Sequence, residues 1–395
     1  MRIPPATRWP ILEASDRAAV SRVLDRGVLS GAAAPEMRAL EAEFAATLGV
    51  RFCLATNSGT SALHLALAAA GVGPGDEVII PALSFVATAQ AVVHQGATPV
   101  FTDIDPVTYT MLPTDVATRI TPRTRAILPV HLHGLPADMD AITALAASAG
   151  VVVIEDAAQA HGARYRDRAV GTLGSMAAFS LNSTKNLPAG EGGLFVTDDE
   201  DLYARAARTR FNGLDLPSKW DASHPLDDEA PGLATGTGFM YLPGELTCAI
   251  ARSQLERLDE TTRRSQRNAA RLTERLGALR GVEPPVVPSD RTHVFHKYRV
   301  GLDPPRAGLH VPPAVLRDHL VEALRAEGVE AVLWQTAPLP AHPRFARAER
   351  YARTEALLAG SLLLGSQSYP LFAQPVDVVD AWADAFERVW RALPF

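Results

Sequence analysis

The chain has 395 residues, 47% of them hydrophobic, and is therefore long enough to bury a large core. Its formal net charge of -6 argues against nucleic acid or an anionic membrane surface as the main partner, because both require basic patches. No stretch reaches the roughly 20 apolar residues of a membrane helix, and the N-terminal sequence lacks the apolar core of a signal peptide. Cys53 and Cys248 lie among apolar residues and are expected to be buried, reduced thiols. We therefore expect a globular cytoplasmic protein.

Apolar periodicity predicts alternating helices and strands through the first half of the chain. Two amphipathic helices are predicted over residues 11–27 and 36–48, joined by the loop VLSGAAAP. The strands that follow are RFCLAT, EVIIP, TPVFTDI, RAILPV and VVVIED, with helices over 60–70, 85–95, near 114 and over 138–149. Because these strands are apolar on both faces, we expect a largely parallel sheet covered by helices, with ligands bound beyond the carboxyl ends of the strands.

The C-terminal part of the chain is predicted to form a smaller α+β domain. Helical periodicity covers residues 244–279, 313–326 and 376–392, and the segments HVFHKYRV and AVLW are strand-like. The polar segment Gly213–Gly238 is long for a loop and is a candidate lid. The predicted organisation is an N-terminal arm over residues 1–12, a large α/β domain over 13–243 and a small domain over 244–395.

Lysine is rare in this chain. Of 38 basic residues, only Lys185, Lys219 and Lys297 are lysines. A lysine amine can lose its proton and attack a carbonyl, whereas a guanidinium stays protonated. Lys185 lies between the strand-like run 176–181 and the glycine-rich turn AGEGG, a position that suits a reactive group. We expect Lys219 and Lys297 to face solvent, and Lys185 to be either a Schiff-base lysine or an ordinary surface residue.

The segment TNSGTSALHLALAAAG, residues 56–71, is predicted to contain a strand end, a small-residue turn and a helix start. Amides at the helix N-terminus, with Gly59 allowing close approach and Thr60 and Ser61 adding hydroxyls, would suit a phosphate group. An ordinary Ser/Thr helix cap explains the same residues. Both interpretations remain open for this segment.

Asp156 ends the apolar strand VVVIED. A buried carboxylate is costly unless it meets a cation or several donors. A protonated pyridine nitrogen is one such cation, and the carboxylate would then keep the ring an electron sink. A cap for a following helix is the alternative. The neighbouring Glu155 is expected to point to the opposite face of the strand.

Two histidine-containing segments raise the question of a metal site. The potential ligands in PVHLHGLPADMD are His131, His133, Asp138 and Asp140. Their spacing fits no metal-ligand set, and a turn with Asp138 as a helix cap is expected instead. The segment HVFH lacks the glutamate and the spacing of a zinc protease, so His293 and His296 are expected to line a polar pocket that contacts substrate. No metal is predicted.

The chain resembles the DegT/DnrJ/EryC1/StrS family of pyridoxal-phosphate (PLP) aminotransferases. The matching segments, in the order of the family, are VLSG, TNSGTSALHLAL, GPGDEVIIPALSFVATAQAV, GATPVFTDIDPVTYT, PVHLHGLPADMD, VVVIEDAAQAHGARY, FSLNSTKNLPAGEGG and HVFHKYRV. They span most of residues 28–300. The resemblance implies an α/β protein of PLP-dependent transferase fold type I, with a mostly parallel seven-stranded sheet sandwiched by helices and a smaller C-terminal α+β domain. It also implies a homodimer with shared active sites.

The resemblance assigns roles around the cofactor ring. Lys185 would hold PLP as a Schiff base, and Asp156 would pair with the pyridine nitrogen. Gln159 would bond the ring hydroxyl, and Phe85 would stack on the ring face.

The resemblance also implies a phosphate site and a substrate entrance. Thr60, with the backbone of Gly59 and Ser61, would hold the phosphate, helped by the Ser180 hydroxyl. The turn at Ser30 would form part of the substrate entrance.

One segment departs from the family pattern. Family members usually read G-Y-N-Y-R-M-x-E-L-Q-A-A near the start of the small domain, whereas residues 238–249 read GFMYLPGELTCA. Met240 replaces an asparagine that reaches the phosphate from the partner subunit, and Leu242 replaces an arginine. Both lost groups are polar, so we expect fewer contacts from the partner to the phosphate. The departure also leaves room for a donor or acceptor other than the common glutamate and keto-sugar pair.

The implied activity moves an amino group from glutamate or glutamine to a ketone, such as a keto-sugar nucleotide or a keto-cyclitol, in secondary-metabolite or glycan biosynthesis. Another PLP-dependent outcome, dehydration or decarboxylation, is the first alternative. Sugar dehydratases of the family carry histidine at the lysine position, so Lys185 argues against that branch. The strand–helix alternation also permits a nucleotide-binding dehydrogenase, but no GxGxxG follows the first strand. A cofactor-binding regulator is the last alternative, and the sequence shows no basic arm for DNA.

Overall fold

The computed structural model of the chain describes residues 3–32, 34–214, 234–345 and 349–393. These residues contain a seven-stranded sheet, a four-stranded sheet and a two-stranded hairpin. None of the helices within these ranges combines the length and the apolar character that a bilayer span needs. The predicted lid at Gly213–Gly238 falls mostly on residues 215–233, which also include Lys219 and lie outside the described residues.

Strands and helices alternate through the first half of the chain, as predicted. In chain order they are α1 Ala14–Arg26, α2 Pro35–Leu48, β1 Phe52–Thr56, α3 Gly59–Ala69, β2 Glu77–Pro81, α4 Val86–His94, β3 Thr98–Thr102, α5 Pro113–Arg119, β4 Thr124–Ile127, α6 Met139–Ala149, β5 Val152–Asp156, β6 Arg164–Tyr165, β7 Arg168–Ala169, β8 Met176–Ser180, β9 Gly193–Thr197 and α7 Glu200–Arg210.

The second half contains shorter strands and longer helices. They are α8 Glu245–Leu255, α9 Leu258–Gly277, β10 Val282–Glu283, β11 Tyr298–Leu302, α10 Pro304–Ala307, α11 Pro313–Ala326, β12 Ala331–Val332, α12 Ala352–Ala359, β13 Ser361–Leu364 and α13 Val376–Arg391. The four-stranded sheet has the order β10-β11-β13-β12 and is antiparallel throughout.

The large sheet has the strand order β1-β9-β8-β5-β4-β2-β3. The pairs β2–β3, β2–β4, β4–β5 and β5–β8 are parallel, whereas β9 is antiparallel to both β1 and β8. The mostly parallel seven-stranded sheet is therefore confirmed. Because β5 and β8 are parallel neighbours, their carboxyl ends lie side by side, with Asp156 opposite Ala178.

Successive residues of the central strands enter two different cores, one on each face of the sheet. Ile79 and Ala177 belong to the core that includes residues of α2 and α6. Their neighbours Ile80 and Ala178 belong to the core that includes residues of α3 and α4. Side chains alternate across a strand, so a sheet covered on both faces requires continuous apolar runs.

The C-terminal elements pack around a separate core. Trp382 of α13 and Leu320 of α11 are fully buried there, and Ile3 packs against the same core. Trp9 makes an edge-to-face contact with Phe372, with ring centroids 4.9 Å apart. The N-terminal residues therefore pack against the C-terminal half, while the predicted domain boundaries at residues 12–13 and 243–244 stay predictions.

The sequence interpretation was wrong at several elements. Only the last three residues of the segment HVFHKYRV belong to a strand, β11, because Phe295 has a φ of 46° and cannot continue an extended strand. The predicted helical region 244–279 is two helices with a break at residues 256–257. Helices α7 and α12 and strand β13 were not predicted.

Glu245 connects helix α8 to the start of α2. Its buried carboxylate accepts hydrogen bonds from the amides of Glu36, at 2.9 Å, and Met37, at 2.8 Å. It also accepts one from Arg26 Nη2 at 3.2 Å. Helix α2 has Ala34 at its N-cap position, which offers no side-chain cap. Glu245 therefore supplies the missing acceptor from a distant part of the chain.

Replacing this carboxylate should destabilise the fold. We expect Glu245→Ala to lower the free energy of unfolding by about 2–4 kcal/mol, because two buried amides and a guanidinium lose their acceptor. The midpoint of urea unfolding measures the effect. Glu274→Ala, at an exposed position of α9, is the control and should leave the midpoint nearly unchanged. Equal midpoints for the two variants would contradict the capping role.

Candidate active site

A cavity of about 280 Å³ lies at the carboxyl ends of β5 and β8. It brings together most of the residues singled out from the sequence. Those that line it are Gly59, Thr60, Phe85, Asp156, Gln159, Ser180, Lys185 and His296. Ser30, Ser61 and His293 do not line it, so their predicted ligand contacts find no counterpart in the cavity of this chain.

Lys185 follows β8 by five residues and reaches the cavity from a turn. Its amide donates to the Asn182 carbonyl at 2.9 Å, and its carbonyl accepts a hydrogen bond from Trp9 Nε1 at 3.1 Å. Burial lowers the pKa of the Lys185 amine, while Asp156 and Glu191 act in the opposite direction. Burial therefore increases the fraction of neutral, nucleophilic amine.

Asp156 is only 5% exposed at the end of β5. Its carboxylate accepts hydrogen bonds from Thr88 Oγ1 at 2.8 Å and from the Ala158 amide at 3.2 Å. Burial raises the pKa of Asp156, and these hydrogen bonds and the charge of Lys185 oppose that rise. The segment after β5 is a series of turns, which removes the helix-cap alternative. A cationic ligand group would stabilise this carboxylate.

Gln159 is oriented by a backbone amide. Its Oε1 accepts a hydrogen bond from the His133 amide at 2.8 Å, and this contact identifies which side-chain atom is the oxygen. The side-chain NH2 group of Gln159 can therefore donate hydrogen bonds toward the cavity. A hydroxyl or phenolate oxygen is a suitable acceptor for it.

The start of α3 has both a serine helix cap and backbone amides that could bind a phosphate, the two interpretations left open by the sequence. Ser58 is the N-cap, and its Oγ accepts from the Ser61 amide at 3.1 Å. Ser61 Oγ donates to Asn57 Oδ1 at 2.6 Å, so Ser61 is engaged within the cap. The amides of Gly59 and Thr60 are the first of the helix and have no intrahelical partner. They are free to bind an anion.

Gly59 permits close contact between α3 and β8. A Cβ atom at this position would lie 2.7 Å from the Cβ of Ser180. Such a distance is too short for two carbon atoms. The absence of a side chain at Gly59 therefore brings the first turn of α3 and the Ser180 hydroxyl to the same wall of the cavity.

The two predicted histidines have different environments. His296 lines the cavity, and its Nδ1 lies 3.0 Å from Asn186 Oδ1, so this nitrogen donates and Nε2 is left as an acceptor. Burial and nearby cations hold the pKa of His296 well below its usual range. His293 instead stacks on Phe295, and its Nδ1 accepts from the Phe295 amide at 2.9 Å.

Lys297 lines the cavity, so the expectation that it faces solvent was wrong. The expectation assumed that the alternation of a strand extends through HVFHKYRV. The left-handed φ of Phe295 breaks that alternation two residues earlier. The Lys297 amide donates to the His133 carbonyl at 3.4 Å, which holds this part of the backbone against the loop that follows β4.

The other candidate ligands have structural partners. His131 Nε2 lies 2.9 Å from Glu155 Oε2, and Glu155 points away from the cavity, as expected. Glu155 also accepts from the amides of residues 171, 173 and 174 at 2.7–2.8 Å. Asp138 accepts from the Ala141 amide at 3.4 Å, which confirms it as a helix cap. In the described part of the chain, no cluster of three or more His, Cys, Asp or Glu residues could hold a metal ion.

Sequence reasoning missed several residues that line the cavity. They are Ser58, Leu63, Ser84, Ala87, Thr88, Ala158, Asn182, Thr184, Glu191, Trp334 and Gln367. Thr88 lies one helical turn after Phe85, and this spacing could have identified it. Trp334 belongs to the segment AVLW, which was predicted as a strand, but β12 ends at Val332 and Trp334 lies in the loop that follows. Gln367 also comes from a loop of the second half.

The segment that departs from the family pattern, residues 238–249, contacts α3 and the residues before it. Met240 is 59% exposed, and its carbonyl accepts from Asn57 Nδ2 at 3.4 Å. Leu242 packs against the core of the large sheet. Between them, the Tyr241 hydroxyl lies 2.9 Å from His64 Nδ1. The two replacements thus present one apolar side chain to the surface and one to the interior.

A mostly parallel seven-stranded sheet with a buried carboxylate and a lysine in one cavity beyond its strand ends defines the class of PLP-dependent enzymes of fold type I. The sequence profile described as the DegT/DnrJ/EryC1/StrS aminotransferase family matches residues 10–374. The chain therefore belongs to this family, whose members are PLP-dependent aminotransferases.

Individual relatives extend the similarity over nearly the whole chain. The "Spore coat polysaccharide biosynthesis protein SpsC" of Bacillus subtilis (strain 168) is 35% identical over 385 residues, covering 96% of this chain and 95% of SpsC. The solved structure of DesV from S. venezuelae is 34% identical, with a TM-score of 0.85, and covers 98% of this chain and 100% of DesV. DesI, solved in the presence of its TDP-sugar product, is 31% identical with a TM-score of 0.84, covering 99% and 93%.

The cavity fits PLP. Asp156 is a buried carboxylate that a protonated pyridine nitrogen would stabilise, and Gln159 offers donors for the ring hydroxyl. The amides at the start of α3 and the hydroxyl of Ser180 form an anion-binding wall that depends on Gly59. Lys185 supplies the amine.

A methyl group at Gly59 should disturb the phosphate wall. We expect Gly59→Ala to raise the PLP dissociation constant at least about tenfold, because the new Cβ pushes α3 away from Ser180. Titration of the apoprotein with PLP, followed by absorbance, gives the constant. Gly73→Ala is the matched control, since a Cβ there meets no atom within 4 Å. An unchanged constant in Gly59→Ala would remove α3 from the phosphate site.

Proposed function

We propose that this aminotransferase moves an amino group from glutamate or glutamine to a keto-sugar nucleotide, with a keto-cyclitol as the second acceptor class. The observation that carries the reaction type is the meeting of Lys185 and Asp156 in one cavity. The TDP-sugar product of DesI and the polysaccharide role in the name of SpsC support a sugar acceptor. The biosynthetic setting would be a glycan or a secondary metabolite.

We assign the cofactor contacts residue by residue. Gly59, Thr60 and Ser180 would hold the phosphate, and Phe85 would cover one ring face. Asp156, which Thr88 orients, would hold the proton on the ring nitrogen, and Gln159, which the His133 amide orients, would donate to the ring hydroxyl. When bound, PLP supplies an aldehyde that captures amines and a ring that takes up electrons.

Lys185 would act as the only base that the reaction needs. Its Nζ takes a proton from the α-carbon of the donor and later returns one to the carbon that carries the new amine. The lowered pKa of Lys185 supports this role, because a neutral amine is required at the start. Fixing its backbone through Trp9 and Asn182 keeps the amine directed at the cavity.

We also propose that the active form is a homodimer. Several large apolar side chains are exposed in the single chain, among them Leu29, Phe85, Phe239 and Met240. Phe85 lines the cavity, and the Met240 carbonyl contacts Asn57, which precedes the lining residue Ser58. An exposed apolar set of this kind is typical of an interaction surface. A partner subunit covering these residues would also complete the substrate entrance predicted at Ser30.

Borohydride reduction tests the covalent role of Lys185. In the cofactor-loaded protein, we expect reduction to fix the cofactor on the peptide that contains Lys185, as detected by mass spectrometry. Lys185→Ala should keep its fold and carry no such adduct. Untreated protein serves as the control for non-covalent carry-over. An adduct on another lysine would move the catalytic role to that residue.

Charge removal at Asp156 tests the electronic role. We expect Asp156→Asn to keep the borohydride adduct and to lower turnover at least about 100-fold, because the amide cannot stabilise a proton on the ring nitrogen. Single-turnover absorbance changes with glutamate or glutamine measure the donor step. Asp167→Asn, at an exposed turn, is the control.

The acceptor is tested in the same experiment. A keto-sugar nucleotide should restore the initial absorbance after the donor step. Loss of water or carbon dioxide from the substrate without any donor would instead support the alternative PLP reactions.

A further inference from the structure

Lys297 gives the cavity a second amine, and nothing assigned so far uses it. It lines the same cavity as Lys185 and follows His296 directly. Its backbone is held by the His133 carbonyl. In a chain with three lysines, two therefore share one cavity.

The Lys297 amine has cations as its charged neighbours. Burial, together with the charges of Lys185 and Arg299, lowers the pKa of Lys297 to about 7. The carboxylates of the cavity are engaged elsewhere: Asp156 accepts from Thr88, and Glu191 accepts from Asn182 Nδ2 at 2.8 Å. Among the described residues, no carboxylate forms an ion pair with Lys297.

Arg299 acts on this amine through its charge and adds to the excess of positive charge. Its side chain is buried, and its three hydrogen bonds all go to neutral groups. The acceptors are His133 Nε2 at 3.1 Å, Ser361 Oγ at 2.5 Å and the Trp334 carbonyl at 3.4 Å. Burying two neighbouring cations without an anion is unfavourable. An anionic ligand group beside Lys297 would relieve that cost.

The position of Lys297 distinguishes between possible anions. Its backbone contacts His133, and the His133 amide binds Gln159, which we assign to the ring hydroxyl. On the cofactor ring the hydroxyl is adjacent to the carbon that bears the reactive aldehyde, whereas the phosphate arm is on the other side of that carbon. The Lys297 amine itself lines the cavity with Lys185, and the charge of Lys185 acts on it. We therefore associate Lys297 with the reacting carbon, which Lys185 would hold, and not with the anion-binding wall at Gly59 and Ser180.

We propose that Lys297 binds the α-carboxylate of the amino-acid donor. The proposal rests on the proposed function, in which the donor reacts at Lys185. An amino acid carries its carboxylate on the carbon that gives up the proton, so an ammonium beside the reacting carbon meets that carboxylate directly. The two cations are then compensated when the donor enters, and donors that carry an α-carboxylate are selected over simple amines.

Binding of a donor analogue tests the proposal without turnover. The probe is α-methyl-L-glutamate, which carries the carboxylate but has no α-hydrogen to lose. We expect its dissociation constant for the cofactor-loaded protein to rise about 10- to 100-fold in Lys297→Gln, as for loss of one charge-assisted pair. Lys297→Arg keeps a cation and should recover at least part of the affinity. The affinity for PLP and the adduct on Lys185 should be unchanged.

Reactive donors give a second measurement. Glutamine should react more slowly at low concentration with Lys297→Gln, mainly through a higher KM. Its analogue 4-aminobutanamide lacks the α-carboxylate and should react at the same rate with both proteins. The acceptor step, started from the pyridoxamine-loaded protein and a keto-sugar nucleotide, should also be unchanged.

Three outcomes would overturn the proposal. Weaker PLP binding in Lys297→Gln would assign the amine to the cofactor phosphate. A higher KM for the keto-sugar nucleotide with normal donor binding would assign it to the acceptor diphosphate. Equal binding of α-methyl-L-glutamate to both proteins would remove the carboxylate contact. Failure of the proposed function is recognised separately, because the unsubstituted protein would then show no donor-dependent absorbance change.

Discussion

The parallel pairing of β5 with β8 is the constraint on which the site depends. It places Asp156, the last residue of β5, beside the end of β8, and the chain then turns to bring Lys185 into the same cavity. Neither residue is near the other in sequence. A shift of the register by one residue would direct Asp156 into the opposite face, where Glu155 now binds His131. The strand pairing therefore decides which of two adjacent carboxylates serves the site.

Burial acts in opposite directions on the two central groups. It lowers the pKa of the Lys185 amine and raises the pKa of the Asp156 carboxyl, because in both cases it disfavours the charged form. Lys185 gains nucleophilicity from this effect, whereas Asp156 is left in need of a cation. A cofactor with a protonated ring nitrogen and an electrophilic aldehyde meets both requirements at once. The burial of the two groups in one cavity is thus compatible with the same ligand.

The sequence predicted what depends on local pattern. Continuous apolar runs indicated the parallel sheet, and the family motifs placed Asp156, Gln159 and Lys185, which the fold then brings together. The predictions that failed concern features that depend on long-range packing or on the backbone angles of a single residue. The positive φ of Phe295 turned Lys297 into the cavity although the residue pattern favoured a strand. Trp334 reaches the cavity from a loop about 150 residues after Lys185, which no local pattern could indicate.

The choice of lysine at position 297 has a physical reason in this setting. Arg299 stays protonated and needs permanent acceptors, which the Trp334 carbonyl and the Ser361 hydroxyl supply. Lys297 has no such acceptor among the residues that the structure describes, and burial with the charges of Lys185 and Arg299 lowers its pKa to about 7. The amine can therefore release its proton before the donor arrives and take one up when a carboxylate is bound. A guanidinium could not adjust in this way. This chain uses arginine at nearly every other basic position. The Lys297 amine is thus suited to a site where the neutralising carboxylate is present only while the amino donor is bound.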